Sequence, residues 1–394
     1  MCLSHNSITM VSEKPVIVII GASFAGIPIA HSLLEDVHSC KVILINPSPT
    51  FYYTVAAPRI MAKPTAFHTE DYLISIRAAF EQYPPDSFNF VEDHVCSIEL
   101  DRHSVTLDNG GIIPFDYLVI ASGSTTQSTF REDVPIPFKQ SNLDNMEALI
   151  KSAQDAISSA SSIVIGGAGP IGVELAGEIA EAAEQRGKPV DITIVSASHR
   201  VLPMLNESAS RSAESLLEQK KVRLIKSRKV TSASTSNGNK VWNITLDSGD
   251  QMTADLYIPT TGVVPNNGFI PREWLDDDGW VKVDNELRVL VNDNEQHPIY
   301  AAGDITNNSM RLAFKAAEQA TVVAANIKND IIGRNSKTKR RVYDQGQSVM
   351  MIVPVGASGG TGQLFGITLW SFMVKYLKSN DFFISKARSM IGAS

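Results

Sequence analysis

The chain has almost no cysteine, and this excludes several classes of protein. Its three cysteines, Cys2, Cys40 and Cys96, form neither a C-x-x-C nor a C-x-x-x-x-C pair. We therefore expect neither a disulfide framework nor a redox-active dithiol. The eight histidines are scattered without the spacing of metal ligands, so no metal site is predicted.

The chain also lacks a strong charge and the usual targeting signals. Its net charge of −7 gives no general attraction for nucleic acid, so we expect no nucleic-acid partner. No basic segment followed by a long apolar stretch stands at the N-terminus, and Cys2 occupies the position where N-myristoylation requires glycine. We expect a cytoplasmic protein, with membrane association and a mitochondrial location left open.

What the sequence does contain is a glycine-rich turn near its start. Val16 to Ile20 is a β-branched apolar run typical of a buried parallel strand, and Ile27 to Leu34 continues as a helix. Such a turn directs the N-terminus of the helix at a pyrophosphate. The predicted FAD contacts in this turn are Gly21, Ala22, Ser23, Phe24, Ala25 and Gly26.

Later segments add to this first nucleotide site. Asn46 ends the second strand, where an acidic residue usually holds the ribose hydroxyls. Val95 lies where this fold passes its backbone beside the adenine, and Ala121-Ser122-Gly123 is a small-residue turn after a strand. Gly303-Asp304 ends a late strand, where Asp304 is placed to accept from ribityl hydroxyls and the next helix is placed to face the flavin. Each segment alone could be an ordinary turn, but their order predicts FAD.

A second, complete fingerprint follows the strand Ser162 to Gly166. Its predicted NAD(P)H contacts are Gly167, Gly169, Pro170, Ile171 and Gly172, joined by Gly262 at the end of the domain. The paired strand ends in Ser196 rather than in an acidic residue, and Arg200 lies four residues on. A site without a carboxylate and with a cation tolerates a 2′-phosphate, so we expect NADPH to be used at least as well as NADH. The alternative for Arg200 is a plain surface residue.

These segments predict an α/β protein with two Rossmann-like domains and a small C-terminal α+β region. The NAD(P)H domain is inserted into a split FAD domain. The predicted boundaries are 1–134 for the first part of the FAD domain, 135–262 for the NAD(P)H domain, 263–334 for the second part of the FAD domain and 335–394 for the C-terminal region.

In this order the motifs resemble the two-dinucleotide superfamily of pyridine-nucleotide oxidoreductases. Within it they are most similar to the apoptosis-inducing-factor-like group, which includes NAD(P)H:quinone reductases. The resemblance covers nearly the whole chain, including Phe51 to Arg59 and the tail segment Val374 to Phe383. The sequence departs from the group at Asn46, Ser23 and Tyr52-Tyr53, which stand for an acid, a glycine and a histidine pair.

The resemblance also implies catalytic side chains. Glu174 matches a glutamate that orders the nicotinamide, Arg131 lies near the position of its basic partner, and Lys378 matches a flavin-side lysine. Arg59 is placed to approach the flavin or its phosphates, and Lys315 to stabilise an anionic reduced flavin. The alternatives are a salt bridge within its own helix for Glu174 and a solvated helix face for Lys315.

The segment from residue 51 to residue 59 contains no cysteine, although the disulfide-reductase branch carries its cysteine pair there. We therefore predict an FAD-dependent enzyme that passes hydride from NADPH or NADH through the flavin to a quinone-like acceptor. Two alternatives stay open. One is a different acceptor, such as a biosynthetic intermediate, ferredoxin or oxygen. The other is a redox sensor similar to apoptosis-inducing factor, in which a long-lived reduced complex changes partner binding.

The tail from Gln345 to Val374 carries no charged residue, but proline and glycines interrupt it. We predict a strand over 349–355 and a helix over 364–377, and no continuous membrane-spanning helix. The helix either packs in the core, forms the wall of a quinone slot, or makes peripheral contact with a membrane surface. The sequence does not fix the oligomeric state.

Overall fold

A computed structural model describes residues 14–130, 134–141, 145–235, 241–291, 295–333 and 339–393. Most of its strands are short and belong to two parallel sheets or to small antiparallel ones. The strands are β1 Val16–Ile20, β2 Lys41–Asn46, β3 Thr50–Tyr52, β4 Leu73–Ser75, β5 Phe88–Glu92, β6 Val95–Glu99, β7 Ser104–Leu107, β8 Ile112–Pro114, β9 Tyr117–Ile120, β10 Ser124–Thr125, β11 Ser162–Gly166, β12 Asp191–Ser196, β13 Arg223–Lys226, β14 Val230–Thr235, β15 Trp242–Leu246, β16 Gln251–Ala254, β17 Leu256–Pro259, β18 Val264–Pro265, β19 Ile299–Ala301, β20 Met351–Pro354, β21 Gly360–Leu364 and β22 Ile367–Thr368.

The helices are fewer, and five of those described exceed ten residues. They are α1 Gly26–Asp36, α2 Ala57–Ala62, α3 Thr69–Tyr72, α4 Ile76–Ala79, α5 Met146–Ser159, α6 Pro170–Gln185, α7 Glu207–Gln219, α8 Ala313–Ile332, α9 Ser371–Val374 and α10 Ala387–Met390. A π-helical turn, Lys375–Ser379, follows α9 directly.

Contacts divide the described residues into two compact units. Unit 1 comprises those of 1–46, 80–122 and 267–343, and unit 2 those of 47–79, 123–266 and 344–394. The domains predicted from the sequence are defined by the nucleotide that each binds, and their boundaries stay a prediction.

Unit 1 is built on a parallel sheet in the order β19-β9-β1-β2-β5. Val16 to Ile20 is central because its β-branched side chains are buried on both faces, as the sequence predicts. The α1 and α8 helices lie against each other, and β6, β7 and β8 form a separate antiparallel sheet. The carboxyl ends of β1, β9 and β19 therefore lie at one edge of this sheet. Ligands of open α/β sheets bind at that edge.

Unit 2 has its own parallel sheet in the order β13-β12-β11-β17. Antiparallel strands β14, β15 and β16 cover part of it with a hydrophobic cluster that includes Trp242, Ile244 and Tyr257. The mixed α/β class with two parallel sheets is thus confirmed.

The structure of the tail confirms the predicted strand but differs from the predicted helix. The strand predicted over 349–355 is present as β20, but the helix predicted over 364–377 is wrong for its first part. Phe365 and Gly366 adopt φ angles of 50° and 79°, which close β21 and β22 into a tight hairpin. Helical structure begins only at Ser371. Apolar spacing alone did not distinguish a hairpin from a helix in this short run.

Candidate active site

The first glycine-rich turn fits a bound pyrophosphate. Gly21 has a φ of 104°, and a Cβ there would lie 2.3 Å from the carbonyl oxygen of Ala121. A Cβ on Gly26 would lie 1.9 Å from the carbonyl oxygen of Gly21. Only glycine permits this approach, which brings the turn and the start of α1 to the end of β9. Ser23 and Phe24 are half-buried between these two glycines, and Ala22 and Ala25 are buried.

Asn46 has a structural role in this turn that the sequence did not predict. Its side-chain oxygen accepts a hydrogen bond from the backbone N–H of Ala22 at 3.0 Å, and the residue is buried. The amide therefore fixes the turn from the end of the neighbouring strand. The predicted contact of Asn46 with the ribose stays a prediction.

The remaining predicted FAD residues of unit 1 lie at strand ends. Val95 begins β6, while Ala121 and Ser122 follow β9 directly. Gly303 follows β19 with a φ of 87°, and its N–H donates to the side-chain oxygen of Gln319 at 2.6 Å. Asp304, the next residue, is half-buried.

Lys315 lies in the first turn of α8 and is buried. Its ammonium is 2.8 Å from the carboxylate of Glu318, which is about half-exposed. The alternative of a solvated helix face is therefore wrong for this residue, whereas its predicted action on the flavin stays a prediction.

The second fingerprint repeats the geometry in unit 2. A Cβ on Gly172 would lie 2.1 Å from the carbonyl oxygen of Gly167, whose φ is 128°. The hydroxyl of Thr260, after β17, donates to the carbonyls of Gly166 and Gly167. A Cβ on Gly169 would meet nothing within 4 Å, so the helix start opens into free space. Pro170 begins α6, Ile171 follows it, and Gly123 and Gly262 lie elsewhere in the unit with φ angles of 67° and 69°.

The helix ends that face these turns are uncapped. Of the five long helices described, α5 and α7 have asparagine N-caps, Asn145 and Asn206, and an acidic residue in the first turn. In contrast, α1, α6 and α8 have neither a side-chain cap bond nor an acidic first turn. Unpaired N–H groups and the positive end of the helix dipole favour an anion. These three are the helices that the sequence assigns to nucleotide binding.

A stripe of three carboxylates, two of them buried and one half-buried, runs along α6, directly after the second fingerprint. Glu174, Glu178 and Glu181 are spaced i, i+4 and i+7, so they share one face of the helix. Four cations surround the stripe, and all seven side chains are at most 16 % exposed. Those cations are Arg59, Lys63, Lys220 and Lys378.

Glu174 and Lys378, two residues that family resemblance marks as catalytic, meet in this network. The ammonium of Lys378 donates to Oε1 of Glu174 at 2.7 Å and to the carbonyl of Ile352 at 3.2 Å. It also lies 5.2 Å from the ring centroid of Phe382. Burial raises the pKa of Glu174 and the neighbouring Glu178 adds to this, while the charge of Lys378 opposes it.

Arg59 binds Glu178 within unit 2. Its Nε and Nη2 donate to the two carboxylate oxygens at 2.9 and 2.8 Å, and Nη1 donates to the carbonyl of Asn380 at 2.9 Å. The guanidinium also lies over the ring of Phe382 at 4.6 Å. The bidentate pair joins α2 to α6, and the approach of Arg59 to the flavin stays a prediction.

Glu181 completes the stripe. It pairs with Lys63 at 3.3 Å and Lys220 at 3.6 Å, and it accepts from the N–H of Ala357 at 2.6 Å. Burial raises its pKa, but Lys63, the amide and Lys220 together hold the pKa below its ordinary value. Gly177 lies on the same helix, where a Cβ would come within 2.8 Å of the backbone of Val355. The tail therefore packs directly on α6.

The sequence did not predict a role for Glu178, Glu181 or the lysines that pair with them. The i, i+4, i+7 spacing of acids on a predicted helix was the available signal. Ser196 ends β12 as predicted, but the guanidinium of Arg200 donates to the carbonyl of Pro203 at 2.9 Å. The predicted partner Arg131 lies outside the described residues.

Within the described ranges, no group of three or more metal-ligating side chains is present. No described helix combines the length and apolarity needed to cross a bilayer.

Sequence and structure comparisons agree with this geometry. Residues 15–320 match the pyridine nucleotide-disulphide oxidoreductase family. The chain is 31 % identical to oxidoreductase ptaL of Pestalotiopsis fici, over 96 % of this chain and 99 % of that protein. It is 29 % identical to ferroptosis suppressor protein 1 of Xenopus tropicalis, over 97 % of each.

Among solved structures, the sulfide:quinone oxidoreductase of Aquifex aeolicus has the same fold. Its TM-score is 0.75 at 19 % identity, covering 96 % of this chain and 93 % of that one. The two turns and the family match together define a flavoprotein oxidoreductase. This chain belongs to the pyridine nucleotide-disulphide oxidoreductase family, and it uses FAD as cofactor with NAD(P)H as co-substrate.

Proposed function

We propose that this protein is an NAD(P)H:quinone oxidoreductase that works without a redox disulfide. The observation that carries the proposal is the pair of nucleotide turns, one in each unit, combined with the absence of a cysteine pair from residues 51–59. The sulfide:quinone oxidoreductase fold and the sequence resemblance to quinone reductases support a quinone-like acceptor.

FAD, when bound, accepts two electrons from NAD(P)H and passes them on to an acceptor. The protein binds and orients the two nucleotides. The N–H groups at the start of α1 bind the FAD pyrophosphate, and those at the start of α6 bind the NAD(P)H pyrophosphate. Reduction of a quinone to a quinol also needs one proton beyond the hydride, so the site must supply it.

Glu174 and Lys378 have complementary parts in this proposal. The ammonium of Lys378 opposes the rise that burial causes in the pKa of Glu174, and the carboxylate orients the nicotinamide through its carboxamide N–H. The ammonium of Lys378 bonds this carboxylate directly. We assign to its Nζ the proton that the acceptor takes up. Neither role requires Arg131.

The test is to separate the two half-reactions in Lys378→Gln, with Lys375→Gln as the matched control. Lys375 is exposed and lies three residues away in the same segment. Losing a charge-assisted contact, worth about 1.5–3 kcal/mol, should slow reduction by NAD(P)H, quinone reduction or both by roughly ten- to a hundredfold. Equal rates for the two variants would refute the role of Lys378. Slow reoxidation by quinone in the unmodified protein, with rapid reoxidation by ferredoxin or oxygen, would favour another acceptor.

The tail supports a contact with a membrane surface. It exposes a cluster that we name the C-terminal apolar surface: Phe365, Ile367, Trp370, Phe372 and Tyr376, which are 81, 71, 70, 57 and 74 % exposed. The core-packing alternative for this segment is therefore wrong for these side chains. Aromatic residues with an exposed lysine nearby are typical of the interfacial region of a bilayer.

We expect the double variant Trp370→Ser/Phe372→Ser to lose binding to anionic liposomes. Each fully buried aromatic side chain contributes about 1.5–3 kcal/mol to partition, so sedimentation with liposomes should fall at least tenfold. The control is Ile112→Ser, another exposed apolar position, in unit 1. Unchanged sedimentation of the double variant would contradict the membrane contact while leaving the redox proposal intact.

A further inference from the structure

The edge of the sheet in unit 2 brings together the ends of two strands, of which the sequence pointed only to the first. The β12 strand ends at Ser196, and β13 ends at Lys226, which is its neighbour in the sheet register. In the next turn, the N–H of Arg228 donates to the carbonyl of Ser196 at 2.9 Å, and the N–H of Ser227 donates to the carbonyl of Ser198 at 3.0 Å. The turn after β13 therefore lies against the loop after β12.

Local backbone geometry holds this arrangement in place. Ser227 has a φ of 58°, a left-handed conformation that residues other than glycine rarely adopt. It lets two successive N–H groups reach the carbonyls of the loop. At its other end the loop is tied to the nucleotide turn, because the N–H of Leu202 donates to the carbonyl of Ala168 at 2.8 Å. The Arg228 turn is thus fixed relative to the second fingerprint.

Two of the cations around this edge already have partners. Lys226 pairs with Glu214 at 3.0 Å, and the other oxygen of Glu214 accepts from the N–H of Val201. Arg200 donates to the carbonyl of Pro203 in its own loop. Arg228 is exposed, bonds the carbonyl of Ser227 through Nη1, and makes no ion pair with any described carboxylate.

We propose that Arg228 selects NADPH by pairing its guanidinium with the 2′-phosphate at the end of β12. In sites for NADH, an acid at this strand end binds the 2′-hydroxyl; Ser196 offers no such carboxylate to repel a phosphate. Arginine binds phosphate through two parallel hydrogen bonds, which makes it suited to this role. The proposal rests on the proposed function only in taking NAD(P)H as the electron donor.

The test measures binding of 2′,5′-ADP and of 5′-ADP to the FAD-loaded protein by calorimetry. We expect 2′,5′-ADP to bind at least about tenfold more tightly, and Arg228→Gln to reduce that ratio to about two or less. Arg228→Lys should restore part of the ratio. The control, Lys229→Gln, removes the adjacent exposed charge and should leave the ratio as it is. A ratio that survives in Arg228→Gln would overturn the proposal.

A second readout separates this proposal from the proposed function. Flavin bleaching by NADH with equal binding of the two ADP compounds would overturn the role of Arg228 and leave the reductase standing. Selective binding of 2′,5′-ADP without flavin bleaching by either coenzyme would support Arg228 and refute the reductase.

Discussion

Replacing Glu178 with glutamine should destabilise unit 2 more than the same replacement in an exposed ion pair. The side chain is fully buried, accepts two hydrogen bonds from Arg59 and pairs with Lys63 at 2.9 Å. The glutamine leaves the buried guanidinium of Arg59 without its counter-charge, and Lys63 keeps only its longer contact with Glu181. Removing one partner of a buried pair costs about 3–5 kcal/mol. For a unit of this size the midpoint of thermal unfolding should fall by about 6–20 °C.

The assay is thermal unfolding followed by circular dichroism and by release of flavin fluorescence. The control is Glu207→Gln, which breaks an i, i+4 pair with Arg211 whose side chains are 71 and 65 % exposed. Such pairs contribute at most about 1 kcal/mol, so the control should shift the midpoint by only a few degrees. Equal shifts in the two variants would refute the claim that the network is buried and stabilising. The double variant Arg59→Met/Glu178→Met should recover part of the loss, since the guanidinium of Arg59 is removed together with its partner and Lys63 retains Glu181.

Two further predictions test the nucleotide turns and the acidic stripe. Gly172→Ala should abolish binding of NAD(P)H and retain FAD, because its Cβ would lie 2.1 Å from the carbonyl oxygen of Gly167. The control Gly268→Ala, whose Cβ meets nothing within 4 Å, should change the binding of neither nucleotide. Equilibrium dialysis measures the binding of each nucleotide to the two variants. The pKa of Glu181 lies below its unfolded value of 4.5, so its stabilising effect is present above that pH and is lost as the pH falls through the lower folded pKa. Urea unfolding between pH 6 and about pH 3 should therefore show a smaller loss of stability in Glu181→Gln than in the unmodified protein; identical slopes would contradict the assignment.

The parts of the fold that were predictable from the sequence are local ones. Val16 to Ile20, the turn at Gly21 and the helix after it follow from neighbouring residues, because burial on both faces and a glycine turn each leave a short pattern. The second fingerprint at Gly167 follows in the same way. The helix predicted around Phe365, where the structure has a hairpin, was wrong because an apolar run of a few residues suits a strand and a helix equally.

The ion network could not be assembled from local patterns. Arg59 and Glu178 are 119 residues apart, and Lys378 and Glu174 are 204 apart, so only tertiary structure brings them together. Family resemblance marked Glu174 and Lys378 separately and gave no sign that they bond to each other. The contact of the Arg228 turn with Ser196 could not be predicted for the same reason, since Ser196 lies on another strand.

An anaerobic titration of the purified protein decides whether it passes electrons from NAD(P)H through a flavin to a quinone. NADPH and then NADH are added while the flavin absorbance is followed, and a short-chain ubiquinone is added last. We expect a flavin spectrum that bleaches with the nucleotide and recovers promptly with the quinone. A protein with no flavin spectrum, or one that bleaches and does not recover with quinone, would contradict it.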